Sequence, residues 1–82
     1  MSRFYFHLCD HVDQLLDPEG VELPDLESAK AHAMAAARDV MSGDLQLGII
    51  DLRYRIDVED AAGVRVYSLP FKHAVSVVPE GG

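Results

Sequence analysis

The chain has no tryptophan and a single cysteine, Cys9. One thiol cannot close an internal disulfide, so stability must come from packing, and the count agrees with a reducing compartment. Apolar runs are short. None approaches the roughly 18 consecutive apolar residues of a membrane-spanning helix. Basic residues are scarce as well: seven Lys and Arg stand against 14 Asp and Glu, for a formal net charge of −7. A surface of that sign repels phosphate backbones, which argues against direct nucleic-acid binding. Gly43, Gly48 and Gly63 stand alone, so no glycine-rich loop is present to cradle a phosphate. The opening MSRFYFHLCD lacks the basic start and long apolar core of a secretory signal. The expected location is therefore cytoplasmic.

What is present is ordinary globular composition, 49% hydrophobic and 26% charged, not the polar excess of a disordered chain. Eighty-two residues suffice for one domain with a modest core. We expect that domain over residues 1–78, with 79–82, Pro-Glu-Gly-Gly, as a flexible tail.

The segment Pro24 to Ser42 reads as a single amphipathic helix. Asp25 can cap the free N–H groups of the first turn, and Glu27 places a second negative charge at the positive end of the dipole. Leu26, Ala29, Ala33, Ala36, Ala37, Val40 and Met41 recur at the three/four spacing of one helix face. Gly43 is the expected stop; a longer reading carries the last turn to Leu47, with Gly48 as the stop. Alanine forms helix readily but buries little surface, so large side chains must come from elsewhere.

Strands supply them. Arg3 to Cys9 alternates, with Phe4, Phe6 and Leu8 on one face and Tyr5, His7 and Cys9 on the other. We assign the first face to the helix. Gln14 to Asp17 can pair back as a short hairpin strand, and Val21 to Leu23 leads extended into the helix. Leu52 to Glu59 alternates strictly, with Leu52, Tyr54, Ile56 and Val58 opposite Arg53, Arg55, Asp57 and Glu59. A loop ending at Gly63 returns the chain through Val64 to Leu69, and Pro70 marks the end of that strand or a sheet edge. Residues 71–78 can add a short strand or helical turn. The expected fold is α+β: one alanine-rich helix on a three- or four-stranded antiparallel sheet, in the order β-(β)-α-β-β.

Several residues carry a resemblance. The opening Arg-Phe-Tyr-Phe-His-Leu is followed by Asp17-x-x-Gly20-x-x-Leu23-Pro24-Asp25-Leu26-Glu27-x-Ala29, an alanine-rich helix and a closing Leu69-Pro70-Phe71 with Ala74. This resembles a family of small uncharacterised proteins common in rhizobia and other alphaproteobacteria, carrying a domain of unknown function. The resemblance implies a bacterial, cytosolic protein and transfers no catalytic residue. Family members often have a basic residue and a glycine where this chain has Cys9 and His11. A weaker, fold-level likeness is to antitoxin-type sheet domains of the HicB kind.

Chemistry-bearing residues are few. His7, Cys9 and His11 alternate, a pattern of imidazole and thiolate that suits zinc or copper, with Asp10, Asp13 or His73 to complete the sphere. Side chains two apart on a strand are ~7 Å apart, wide for shared ligation, and a plain exposed sheet face is the better account of the pattern. Cys9 as a nucleophile lacks nameable oxyanion donors and a group to orient a base. The acids Asp10, Asp13, Asp17 and Glu19 lack the spacing of a calcium loop. We therefore expect no cofactor and no catalysis. The expected role is a non-enzymatic interaction module that self-associates through its second sheet face, offering Tyr5, His7, Cys9, Tyr67 and Leu69. The alternative is an antitoxin-like or regulatory protein that reaches nucleic acid through a partner or oligomer, using a stripe of Arg53, Arg55 and Arg65.

Overall fold

The computed structural model describes residues 1–76, 78 and 80 of the chain. Five strands and one long helix follow one another as β1 (Ser2–Cys9), β2 (Gln14–Leu15), β3 (Val21–Leu23), α1 (Leu26–Gln46), β4 (Arg55–Glu59) and β5 (Arg65–Pro70). The architecture is α+β, as expected. The segment before the helix is a third strand and not merely an extended lead. β1 is the spine of the sheet. β4 pairs along one edge of it and β5 pairs with β4, while β2 and β3 occupy the two ends of its other edge, all antiparallel. A 3-10 turn over Phe71–His73 follows β5. The tail expected over 79–82 includes Pro79, Gly81 and Gly82, which lie outside the described residues.

The gap between β2 and β3 is closed by one side chain. Asp17 accepts hydrogen bonds from the backbone N–H groups of Phe6, Glu19 and Gly20 at 3.2, 3.2 and 3.1 Å. Its carboxylate thus stands in for a missing ladder partner of β1 and tightens the turn below it. Burial works against its charge, but these three donors outweigh it and hold its pKa below the ordinary carboxylate value. Gly20 has φ +71°, and a Cβ there would lie 2.7 Å from the Phe4 carbonyl oxygen. Only glycine brings the chain this close to β1. The Asp17-x-x-Gly20 spacing therefore has a local cause.

The helix begins where its cap predicts. The Asp25 carboxylate accepts from Ser28 N–H at 2.8 Å. It ends later than Gly43. Gly48 N–H donates to the Leu45 carbonyl and Ile49 N–H to the Asp44 carbonyl, with Gly48 at φ +80°. This is the paired closure of a Schellman motif, so the longer reading holds and Gly43 sits inside the helix. The later stop adds about a turn to a rod of roughly 31 Å.

Ala29, Ala33, Ala37 and Met41 form the buried seam of the helix. Phe4, Ile56, Val58, Leu69, Phe71 and Ala74 complete the core around them, with Phe6 and Leu8 packed against its side. The alanines let the rod approach closely, and the strands supply the volume. The assignment of Phe4, Phe6 and Leu8 to the helix side is correct. His32, on the flank of the helix, packs its ring on Phe6 with centroids 4.5 Å apart. Likewise Lys30 lies over the Tyr67 ring at 5.3 Å.

Candidate functional site: a polar sheet face and an apolar groove

The second face of the sheet is built by register. Antiparallel pairing sets His7 opposite Asp57 and Cys9 opposite Arg55. On the next strand Ser68 stands opposite Asp57. A register shift between Val58 and Glu59 then brings Arg65 opposite Glu59. A row of polar side chains crosses the sheet where no helix covers it.

Asp57 is the hub. Its Oδ1 accepts from the Ser68 hydroxyl at 2.7 Å and from Arg55 Nε at 3.1 Å. Arg65 approaches the other oxygen at 3.9 Å. Cys9, only 1% exposed, has its Sγ 3.7 Å from Asp57 Oδ2 and 3.6 Å from the His7 carbonyl oxygen. Burial opposes the Asp57 charge; the Ser68 hydroxyl and then Arg55 outweigh it, so its pKa lies below the ordinary value. Burial first, and the Asp57 carboxylate second, push the Cys9 thiol up. Cys9 is thereby held as a thiol and not as a thiolate.

His7 is locked on both ring nitrogens. Its Nδ1 accepts from Asp17 N–H at 3.0 Å, which places the ring proton on Nε2, 3.1 Å from Glu59 Oε1. Tyr5 stacks alongside, with ring centroids 6.5 Å apart and planes at 13°. Neither nitrogen is turned to Cys9, so the thiol has no base. His11 lies past the end of β1, exposed in the bend. The three residues therefore do not share a strand face. Among the described residues no group of three or more His, Cys, Asp or Glu is placed to hold a metal ion.

The five residues expected on this face divide. Tyr5, His7 and Cys9 lie on it. Tyr67 and Leu69 do not: β5 sets them opposite Val58 and Ile56, which face the helix, and Leu69 is 2% exposed in the core. The expected apolar patch is a closed polar network instead. The arginine stripe is also absent as such. Arg53 makes a two-point pair with Asp51 at 3.0 and 2.9 Å, and Arg55 and Arg65 both turn to Asp57. The Arg53 hydrogen bonds pull Asp51 down to about 2.

Apolar surface is found elsewhere. Beyond Met41 the seam of the helix opens into a groove of about 340 Å³ lined by Met41, Leu45, Ile50 and Val75, with Arg38 and Ser42 at its rim. Arg38 is held there by its Nε, which donates to the Ala74 carbonyl at 3.0 Å. Leu45, Leu47, Ile49 and Ile50 are each more than half exposed. A smaller exposed group, Val12, Leu15 and Leu16, lies beside β2. The sequence signal for the groove is the cluster of large apolar residues around Gly48; by composition Ile49 and Ile50 read as buried, but the structure leaves both more than half exposed. Asp57 and Ser68 were missed because the face they share depends on cross-strand register.

A single long helix laid on an antiparallel five-stranded sheet, with one face apolar and the other a polar network, defines a small α+β domain. The chain belongs to the family described as a domain of unknown function, DUF6894, whose model matches residues 3–72. No curated protein and no solved structure matches it at a significant level. No helix among the described residues is long and apolar enough to cross a membrane.

Proposed function

We propose that the chain is a non-enzymatic protein-interaction module of a bacterial cytoplasm, acting by self-association. The observation that carries this reading is the apolar surface left in water by so small a domain, concentrated in the turn that ends the helix. Exposed apolar patches of several hundred Å² are where proteins meet partners. The polar sheet face, with Cys9 and His7 buried and engaged, is better suited to holding β1, β4 and β5 in register than to contact. We therefore place the contact at the helix end and not on the sheet. The bacterial and cytoplasmic setting rests on the resemblance of the Gly20 to Glu27 block.

The nucleic-acid alternative has no observation in its favour, since Arg53, Arg55 and Arg65 are each paired with a carboxylate. Sedimentation of the purified chain, together with affinity capture from a bacterial lysate, tests the reading. A strict monomer that recovers no protein would remove it.

A further inference from the structure

We propose that a second copy of this chain covers the groove at the helix end, in a two-fold contact made by the same patch on both protomers. The inference rests on the reading above and names its partner and surface. The seam of the helix is buried through Ala29, Ala33, Ala37 and Met41, and one turn further on it reaches Leu45, which is 58% exposed. Large apolar side chains therefore stand where no other described residue buries them.

The patch offers both a recess and exposed side chains next to it in the chain. Met41, Leu45, Ile50 and Val75 form a recess, and Leu47 and Ile49, 77% and 57% exposed, project from the turn beside it. A two-fold contact needs both features on one surface, because each protomer must give and receive the same side chains. Gly48 fixes the turn that carries the projecting pair.

Charge points to the same occupant. Residues 45–50, Leu-Gln-Leu-Gly-Ile-Ile, contain no ionisable side chain in a chain of net charge −7. The next residue, Asp51, is neutralised by its two-point pair with Arg53. Apart from Asp44, which borders the run on its other side, two copies can meet here without opposing bare carboxylates, whereas an acidic surface elsewhere would repel its own image. The side chains at 45, 47, 49, 50, 52 and 75 expose apolar area on the order of 500 Å² per copy. Two copies then bury roughly 1,000 Å² together, the size at which a specific interface begins.

Sedimentation of the purified full chain across the micromolar range is the test, with Leu47→Glu and Ile49→Asp as variants. Both positions are exposed, so each variant should keep the wild-type circular dichroism, and the wild-type melting temperature at concentrations too low for the dimer to form. The expected result is a wild-type monomer–dimer equilibrium that each variant weakens at least tenfold. Leu15→Glu, in the other exposed apolar group, should leave it unchanged. A dimer insensitive to both Leu47→Glu and Ile49→Asp overturns the surface while leaving self-association standing. A monomer that captures a different protein overturns the second copy as occupant but keeps the interaction module. A monomer that captures nothing overturns both.

Discussion

The two faces of the sheet are filled by opposite means. On the helix side, Phe4, Val58, Leu69 and Phe71 meet a rod lined with alanine, and every buried group there is apolar. On the far side no second layer is present among the described residues, yet Cys9, His7 and Asp57 are buried. Their cover is the sheet's own polar side chains and the loop carrying Asp17. The first face is held by volume and the second by hydrogen-bond geometry. Substitutions should therefore fail on the two faces for different reasons, by bulk on one and by lost partners on the other.

The largest effect should come from bulk on the helix side. Ala33 is fully buried in the seam. Ala33→Leu adds three carbons at the middle of the three fully buried alanines of that seam. Overpacking typically costs about 1–3 kcal/mol, and three added carbons belong at the upper end of that range. Thermal unfolding should show a drop of well over 10 °C, given the ~4–8 °C per kcal/mol typical of a domain this size. A drop of a few degrees would mean that the helix can move away, and the close-approach account of the alanines would be wrong.

Next comes the loop that closes the far face. Gly20→Ala places a Cβ 2.7 Å from the Phe4 carbonyl oxygen and holds it at φ +71°. Left-handed backbone alone costs about 1–2 kcal/mol for a residue with a side chain, so a loss near 2 kcal/mol is expected in urea unfolding. Because the strain lies in the turn that presents Asp17 to His7, exchange of the Asp17 and Phe6 amide protons should rise more than exchange in the helix. Uniform acceleration would show that the loop is not a separate closure.

Much of this was legible in the residues alone. Alternation along β1 placed Phe4, Phe6 and Leu8 on the helix side, and Asp25 fixed the helix start. Tyr67 and Leu69 were placed on the far face because strand parity is a relative quantity. It says that the two share a face, and only pairing with Val58 and Ile56 says which. The helix end stays open between two stops for a related reason. Gly43 and Gly48 are both plausible stops by composition, and the choice is made by the Asp44 and Leu45 carbonyls that Ile49 and Gly48 satisfy. The polar network was invisible because Asp57, Ser68, Cys9 and His7 come from three strands. No local pattern records that they meet.

Asp57→Asn tests the far face by pH. The folded-state pKa of Asp57 lies below its ordinary value. Its ionised form therefore contributes stability above the unfolded pKa, about 3.9 for aspartate, and loses it as pH falls through the folded value. At pH 7 the variant should be less stable by about 1.5 kcal/mol, the scale of a hydrogen bond to a charged group. The gap from wild type should close progressively as the pH drops below ~4. A gap that persists unchanged in acid would mean that the carboxylate charge is not what the network uses.

The smallest effect separates the two faces most sharply, because it turns on a sign. A buried cysteine in an apolar setting behaves as a small hydrophobe, so alanine replaces it better than serine, whose unpaired hydroxyl costs about 1–3 kcal/mol. Cys9 is as deeply buried as any core residue, but its sulfur lies 3.7 Å from the Asp57 carboxylate. A serine hydroxyl there has a charged acceptor within reach, whereas alanine leaves Asp57 with one donor fewer. Cys9→Ser should thus be at least as stable as Cys9→Ala, by about 0.5 kcal/mol, and the order should invert only in acid, where Asp57 is protonated. If alanine is the better replacement at pH 7, the far face is held by packing after all, and the contrast between the two sides of the sheet reduces to one of degree.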